Sequence, residues 1–263
     1  MNKIIVANWK MNKDVKEAIF SIKELKKLIK DEKTVEVIIC PPFTALQAVS
    51  QELKGCSIRL GAQNMYFEEY GAYTGEISAH MLKQIGCEYV ILGHSDRRET
   101  FGEDNSLINK KIIAALKHSL KPILCIGENL EQRKNLSANE IIKNQLNSCL
   151  KDINKDQISK IILAYEPIWA ISKGDPNHKP ATAKDAEDSH KFIRGIIAKI
   201  YDGMIAKNSM IIYGGSMKPE NAGELLKMPN IDGGLVGNAS LNSKSFAEII
   251  KIVTAPQHTI SAH

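Results

Sequence analysis

Eight short apolar runs recur along the chain, and stretches with the apolar spacing of amphipathic helices separate them. The runs cover residues 4–6, 35–40, 58–62, 89–92, 123–126, 161–164, 210–213 and 235–236. Strands that are apolar on both faces and joined by helices pack as a parallel sheet with helices covering it. The alternation therefore predicts an α/β fold.

The number of runs favours a closed sheet over an open one. Doubly wound open sheets have about five or six strands and a glycine-rich first turn, whereas residues 8–11 here read Asn-Trp-Lys-Met. Eight strands match a (β/α)8 barrel, which reaches about 250 residues as one domain, and no proline-, glycine- or serine-rich linker divides the chain. We predict a single-domain (β/α)8 barrel with parallel strands over residues 1–253 and a C-terminal tail over 254–263.

The composition argues against several functional classes. No run approaches the roughly 18 apolar residues of a membrane span, and residues 1–10 read as a strand rather than a leader, so we expect no membrane association and a cytoplasmic location. The net charge of +5 is mild, and basic residues do not alternate with aromatic ones, so no nucleic-acid partner is indicated. The histidines and the five cysteines lack the spacing of a metal site, and none is predicted.

Polar residues that directly follow the apolar runs should meet at one face, because all strands of a parallel barrel end there. Asn8 and Lys10 follow the first run, His94 and Ser95 the fourth, and Glu166 the sixth. Taken alone, Glu166 and His94 are about equally well explained as ordinary surface or core residues, and Lys10 is better explained as a solvated surface lysine. Together they predict a cation, an imidazole and a carboxylate at one mouth.

Glu166 is the candidate general base. Pro167 restricts the backbone of Glu166 to extended geometry, and the apolar Ile168 and Trp169 would keep water from the carboxylate. An exposed glutamate at a strand end explains this segment as well, so the choice rests on the other residues at the mouth.

His94 and Lys10 are the candidate electrophiles. His94 precedes a helix, whose positive end disfavours a protonated imidazole, and a neutral ring can donate an N–H to a carbonyl. A fixed Lys10 ammonium would stabilise an enediolate, and Asn8 is expected to hold that ammonium by a hydrogen bond. Ser95 and Asp96 beside the histidine are not a hydrolase triad, because neighbours in sequence project in different directions.

Glycine-rich turns follow the last two runs, at residues 213–216 and 232–238. A lone pair of glycines is more readily explained as a tight turn without a ligand. Two such turns in adjacent final positions favour phosphate, which barrels often bind there through backbone N–H groups. No GxGxxG or GxxxxGK[ST] motif occurs at a strand-to-helix junction, so neither a dinucleotide nor a nucleoside triphosphate is predicted.

Several segments, taken in order, resemble those of one known family. They read Asn-Trp-Lys-Met-Asn at 8–12, Gly-Ala-Gln-Asn at 61–64, Gly-Ala-Tyr-Thr-Gly-Glu at 71–76, Ile-Leu-Gly-His-Ser at 91–95, Ala-Tyr-Glu-Pro-Ile-Trp-Ala at 164–170 and Tyr-Gly-Gly-Ser at 213–216. Their order and spacing resemble the triosephosphate isomerases over nearly the whole chain. The resemblance implies interconversion of dihydroxyacetone phosphate and D-glyceraldehyde 3-phosphate through an enediolate, in glycolysis and gluconeogenesis, without a cofactor.

The resemblance also implies a role for each matching residue. Glu166 would move the proton between C1 and C2, His94 would act as the neutral electrophile, and Lys10 with Asn8 would stabilise the enediolate. Phosphate-binding positions are matched by Ser172, Ser216, Gly234, Gly237 and Asn238, and supporting positions by Ser95, Asp96, Arg98 and Cys125. Residues 167 to about 181 would form a lid that excludes water.

The family is usually a homodimer with triose phosphate as its small-molecule partner. The loop from Gln63 to residue 76, tipped by Thr74, would enter the neighbour's pocket beside Lys10 and His94. On that basis we expect a homodimer.

The chain also departs from the family pattern. The segment 172–180 is longer than the usual lid, Ser172 adds a Cβ where phosphate is held, and Pro180 removes an N–H near one hinge. Asn238 replaces a usual glycine, but Asn tolerates left-handed geometry. Asp96 replaces a usual glutamate and is one methylene shorter. We expect the chemistry to persist while lid closure and phosphate affinity are altered.

Two alternatives stay open on the sequence. A longer lid would suit an isomerase of another short phosphosugar, such as a tetrulose phosphate. A barrel that binds phosphosugars without activity is the other, and the intact Lys10, His94 and Glu166 argue against it.

Overall fold

A computed structural model, which describes residues 3–135, 138–171 and 180–254, contains a closed barrel of eight parallel strands. The strands are β1 (Ile4–Asn8), β2 (Glu36–Cys40), β3 (Arg59–Ala62), β4 (Tyr89–Leu92), β5 (Lys121–Ile126), β6 (Ile162–Tyr165), β7 (Met210–Tyr213) and β8 (Gly233–Val236). Each strand pairs with the next, and β8 pairs with β1 to close the ring. The predicted fold class is confirmed, and every predicted run overlaps one strand.

Helices connect the strands. They are α1 (Val15–Leu28), α2 (Phe43–Glu52), α3 (Ala79–Ile85), α4 (Ser95–Thr100), α5 (Asn105–Lys117), α6 (Leu130–Lys134), α7 (Ala138–Cys149), α8 (Lys155–Ile158), α9 (Ala183–Ile200), α10 (Gly203–Asn208), α11 (Pro219–Leu226) and α12 (Ser243–Thr254). A first 3₁₀ helix spans Ile168–Ala170 and a second spans Asn238–Leu241. Thr254 of the predicted tail belongs to α12, and residues 255–263 lie outside the described residues.

The start of α1 shows how local sequence sets the length of the first loop. The Asp14 side chain accepts from the backbone N–H of Glu17, and the Glu17 carboxylate accepts from the N–H of Asp14, each at 2.9 Å. This capping box satisfies N–H groups that have no partner inside the helix. Ala18, Ile22 and Leu25 then bury one face of the helix. The loop between β1 and α1 therefore has only six residues in which to place Lys10.

Alternate residues of each strand divide between two apolar layers. In β1, Ile4 and Val6 belong to a cluster inside the barrel, whereas Ile5 and Ala7 belong to the larger cluster between barrel and helices. This division explains why the strands are apolar on both faces. Side chains fill the barrel interior, so a ligand binds at an end of the barrel rather than along its axis.

His190, on α9, is completely buried. Its ring contacts Tyr165 edge to face at 5.6 Å between centroids and lies 6.3 Å from the Tyr213 ring. Its Nδ1 lies 2.7 Å from the carbonyl oxygen of Ala186, which suits a neutral ring with the proton on Nδ1. Burial lowers the pKa of His190 to about 4.

We expect the free energy of unfolding to fall as the pH drops from 6.5 towards 4. Unfolded His190 binds a proton near pH 6.5, whereas folded His190 binds one only near pH 4, so the unfolded state holds more protons in this window. At about 1.4 kcal/mol per pKa unit, the loss is on the order of 3 kcal/mol. Above pH 6.5, His190 is neutral in both the folded and the unfolded state, so none of this stability is lost there.

Urea unfolding of the wild type and of His190→Gln between pH 4.5 and 8 measures the effect. His80→Gln, at a partly exposed position, is the matched control. The pH dependence should weaken in His190→Gln alone, and equal slopes in all three proteins would contradict the assignment.

Candidate active site

The C-terminal ends of the strands surround a cavity of about 840 Å³. Its lining includes Asn8 and Lys10 from the β1 end, His94 from the β4 end, and Glu166 from the β6 end. The structure therefore brings together the cation, the imidazole and the carboxylate that the sequence places at one mouth.

Two neighbouring side chains hold the backbone of Lys10 in an unusual conformation. Its φ of +51° lies in the left-handed region, which side-chain-bearing residues adopt at a cost of about 1 kcal/mol or more. The Asn8 side chain accepts from the Lys10 N–H at 3.1 Å, and Gln63 Nε2 donates to the Lys10 carbonyl at 2.9 Å. The expectation that Asn8 holds the ammonium is thus corrected: the amide oxygen binds the main chain. The ammonium pairs with Asp96 instead, at 3.1 Å.

His94 caps the N-terminus of α4. Its Nδ1 accepts the backbone N–H of Asp96 at 3.1 Å, so Nδ1 carries no proton in this arrangement. A neutral ring then has its proton on Nε2, which lies 2.9 Å from Glu166 Oε1. The His94 side chain is only 8% exposed, which suits a neutral N–H donor beside the carboxylate.

Glu166 is 2% exposed. Its Oε2 accepts the backbone N–H of Ser95 at 2.8 Å. Its Oε1 is close to His94 Nε2 but lacks the alignment of a hydrogen bond, so the Ser95 bond is the contact that fixes the carboxylate. Withdrawal from water suits a carboxylate for proton abstraction.

The glycine-rich turns supply another wall of the cavity. Ser216, Gly237 and Asn238 line it. Asn238 does not adopt a positive φ, so it begins the second 3₁₀ helix without the strain that left-handed geometry would bring. Ser172 and the rest of segment 172–179 lie outside the described residues.

Gly234 is placed differently from expectation. It lies within β8, opposite Ile5 of β1, and not on the cavity wall. A Cβ at this position would stand 2.6 Å from Met217 Sδ. A side chain here would therefore require Met217 to move.

The supporting residues secure the rim. Arg98 donates to the carbonyl oxygens of Gly93, at 2.7 Å, and Cys125, at 3.1 Å, so it connects the ends of β4 and β5. Burial raises the pKa of the Cys125 thiol, which keeps the group protonated. Gln63 also donates to the Cys40 carbonyl at 2.9 Å, and Thr74 is exposed on its loop.

Glu128 is a site residue that the sequence analysis missed. Its fully buried Oε1 accepts from Tyr165 Oη at 3.0 Å, Trp169 Nε1 at 2.9 Å and Arg133 Nη1 at 3.1 Å. Glu128 therefore positions the side chain of Trp169, which follows Glu166 by three residues in the sequence. The signal was present, because Glu128 follows the fifth apolar run in the same way that Glu166 follows the sixth.

A buried ion pair was also missed. Lys111 on α5 is 1% exposed and donates to Glu103 and, at 3.0 Å, to Asn64 Oδ1. Burial lowers the pKa of Lys111, and the hydrogen bond that it donates to Glu103 opposes that shift. Arg97 Nε also donates to Glu103, at 2.6 Å, which links the loop after β3 to α4. A lysine within the buried stripe of α5 is the sequence signal for such a pair.

Two features are absent from the described residues. No helix among them is long and apolar enough to cross a membrane. Within the same part of the chain, no three His, Cys, Asp or Glu side chains are grouped as metal ligands.

Comparison with known proteins identifies the family. A sequence model described as "Triosephosphate isomerase" matches residues 3–253. The chain belongs to the triosephosphate isomerase family. Relatives named triosephosphate isomerase include those of Finegoldia magna, 50% identical over 249 residues, and Thermoanaerobacter pseudethanolicus, 48% identical over 247 residues. These alignments cover 94% of this chain and 97% and 98% of the relatives.

A solved structure agrees with the family assignment. The crystal structure of triosephosphate isomerase from Bartonella henselae matches with a TM-score of 0.86 and 35% identity, covering 97% of this chain and 100% of that one. The resemblance predicted from the sequence is confirmed. Neither the tetrulose phosphate isomerase nor the inactive barrel is favoured by these matches.

The Asp96 carboxylate should matter through Lys10. We expect Asp96→Asn to lower kcat/KM for triosephosphate isomerisation about fivefold, because the ammonium loses its charged partner. The loss is modest because the two side chains are 34% and 44% exposed and water screens the pair. Asp96→Glu should stay within about twofold of the wild type.

Steady-state kinetics of these variants, with the exposed Asp31→Asn as control for the lost charge, checks the prediction. Wild-type kinetics in Asp96→Asn, or equal losses in Asp96→Asn and Asp96→Glu, would contradict it.

Proposed function

We propose that this protein is a triosephosphate isomerase, an aldose–ketose isomerase that interconverts dihydroxyacetone phosphate and D-glyceraldehyde 3-phosphate. The proposal rests on one observation, the meeting of Lys10, His94 and Glu166 at a single cavity. Proton transfer beside a carbonyl needs a base, a donor to the carbonyl oxygen and a cation for the developing charge. Triosephosphate isomerases carry out this chemistry with a glutamate base and a neutral histidine, and family membership supports the substrate.

Glu166 moves the proton between the two carbons. Its carboxylate leaves the Ser95 N–H, takes a proton from C1 of dihydroxyacetone phosphate, and the C1–H electron pair forms the C1–C2 double bond of the enediolate. The same carboxyl group then returns the proton to C2. The burial of Glu166 keeps bulk water from competing for that proton.

His94 and Lys10 act on the oxygens. The Nε2–H of His94 donates to the carbonyl oxygen as negative charge develops, and the ring carries a proton from one oxygen to the other so that C1 becomes the aldehyde. The Lys10 ammonium stabilises the enediolate charge. Asn8 and Gln63 hold the Lys10 backbone, so the cation is in place before reaction.

The substrate phosphate is assigned to the opposite wall. Backbone N–H groups at Gly237 and Asn238, together with Ser216, bind it at the start of the second 3₁₀ helix. We also propose a phosphate contact from Ser172, which lies outside the described residues. Side chains supply the acid, base and cation, so the proposed reaction uses no cofactor. The five unpaired cysteine thiols support a reducing location, the cytoplasm.

A coupled isomerase assay on the wild type and Glu166→Gln tests the substrate and the base together. The wild type should isomerise triose phosphates, and Glu166→Gln should lose about a thousandfold in kcat, since an amide cannot accept the proton. Glu131→Gln, at an exposed position on α6, is the control and should match the wild type. An inactive wild type, or an active Glu166→Gln, would refute the proposal.

We also propose that the protein is a homodimer built around the loop of residues 63–76. Met11, directly after Lys10, is 97% exposed, and Tyr70 and Tyr73 on the loop are 67% and 42% exposed. Large apolar groups exposed beside a catalytic lysine favour coverage by a protein surface. Gln63 bonds to the Lys10 carbonyl, so the base of this loop already contacts the site that the partner's Thr74 would complete.

Light scattering coupled to size exclusion tests the assembly. The wild type should have twice the 29.2 kDa chain mass. Thr74→Arg places a charge at the loop tip and should yield a monomer with kcat at least tenfold lower. Asn208→Arg, at an exposed position on α10, should remain dimeric, and a fully active wild-type monomer would refute the proposal.

A further inference from the structure

Lys13 connects two segments of the proposed site that are distant in sequence. Its Nζ donates to the carbonyl of Leu241 at 2.8 Å and to Ser21 Oγ at 2.8 Å. Leu241 is the last residue of the second 3₁₀ helix, whose first residue, Asn238, lines the cavity. The lysine therefore joins the loop between β1 and α1 to the far end of the segment assigned to phosphate.

The ammonium of Lys13 has a favourable partner for each of its three hydrogens. Leu241 and Ser21 take two, and the ring of Trp9 lies 5.2 Å from Nζ, within the range of a cation–π interaction. Trp9 is 2% exposed, so its ring is a fixed surface. The three contacts hold the Lys13 side chain in one orientation.

The loop that carries Lys10 needs such support. Lys10 and Lys13 have φ values of +51° and +71°, so two residues without the freedom of glycine adopt left-handed geometry within four positions. Such geometry persists only where the surroundings enforce it. Asn12 donates to the Trp9 carbonyl at 2.7 Å and stabilises the loop internally, whereas Lys13 connects it to a different part of the barrel.

The end of the second 3₁₀ helix also gains from this contact. The last carbonyls of a helix have no partner within it, and a cation at that end is favourable. With Leu241 held, Gly237 and Asn238 at the opposite end are kept on the cavity wall. Ser240 donates to the Gly237 carbonyl from its N–H at 2.9 Å and from its hydroxyl at 2.6 Å, so the turn is bonded from its start to its end.

We propose that Lys13 is a positioning residue that fixes the distance between the Lys10 ammonium and the phosphate-binding N–H groups of the second 3₁₀ helix. This inference rests on the proposed function and deepens it. Lys13 is not among the residues that line the cavity. It sets the span between two groups that engage opposite ends of one small anion, so its loss should weaken ground-state binding more than the proton transfer itself.

Lys13→Met tests this role, because methionine keeps the apolar stem and removes the three donors. We expect KM for dihydroxyacetone phosphate to rise at least fivefold and kcat to change less than threefold. The dissociation constant of inorganic phosphate, measured by calorimetry, should rise by a similar factor. Lys16→Met is the matched control, since Lys16 is an exposed lysine at the start of α1, three residues after Lys13, and it should keep wild-type values.

Unchanged KM and phosphate affinity in Lys13→Met would overturn the proposal, and so would the same shift in Lys16→Met. A fall in melting temperature alone would mean that Lys13 is merely structural and would also overturn it. If Lys13→Met does not fold, Ser21→Ala removes one acceptor and should raise the phosphate dissociation constant two- to threefold, and no rise would refute the role. An inactive wild type would refute the isomerase function, while the phosphate measurements would still decide the role of Lys13.

Discussion

Closure of eight parallel strands is the constraint on which the rest of the structure depends. Because all strands run in one direction, their C-terminal ends share one rim, and residues far apart in sequence meet there. Lys10, His94 and Glu166 come from three different strands and line one cavity. The filled interior closes the axis of the barrel, so this rim becomes the site.

The N-terminus of α4 then sets the relative positions of two of these groups. The backbone N–H of Ser95 binds Glu166, and the backbone N–H of Asp96 binds Nδ1 of His94. Two adjacent peptide groups thus orient an acid from one strand and an imidazole from another. The helix uses N–H groups that have no partner of their own in its first turn.

The sequence predicted the features that depend on periodicity and chain direction. The ends of the strands could be predicted because the apolar runs stop where the strands stop. This predicted that His94 and Glu166 follow β4 and β6 at the same end of the barrel. The direction of a hydrogen bond is not readable in this way. Asn8 was expected at the Lys10 ammonium but binds the Lys10 backbone, because the left-handed turn at Lys10 brings that N–H to the amide oxygen.

Two other discrepancies have physical causes of the same kind. Gly234 was expected at the phosphate, but it is the second residue of β8 and lies away from the C-terminal end of the strand. A side chain there would collide with Met217 unless Met217 moved. Lys111 lies in a helical stripe that reads as amphipathic. Only the fold shows that Glu103 comes close enough to neutralise it. Partners brought together by the fold, rather than by spacing along the chain, were therefore beyond the reach of the sequence.

Gly127 has a consequence for altering substrate range. A Cβ there would stand 1.8 Å from the Glu166 carbonyl oxygen, and one at Gly214 would stand 2.9 Å from Glu166 Cγ. The main chain at Gly127 and Gly214 therefore packs directly against Glu166. Neither position has a side chain that could be shortened to enlarge the site. A variant that accepts a longer sugar would instead have to change side chains elsewhere on the cavity wall, such as Ser216 or Asn238.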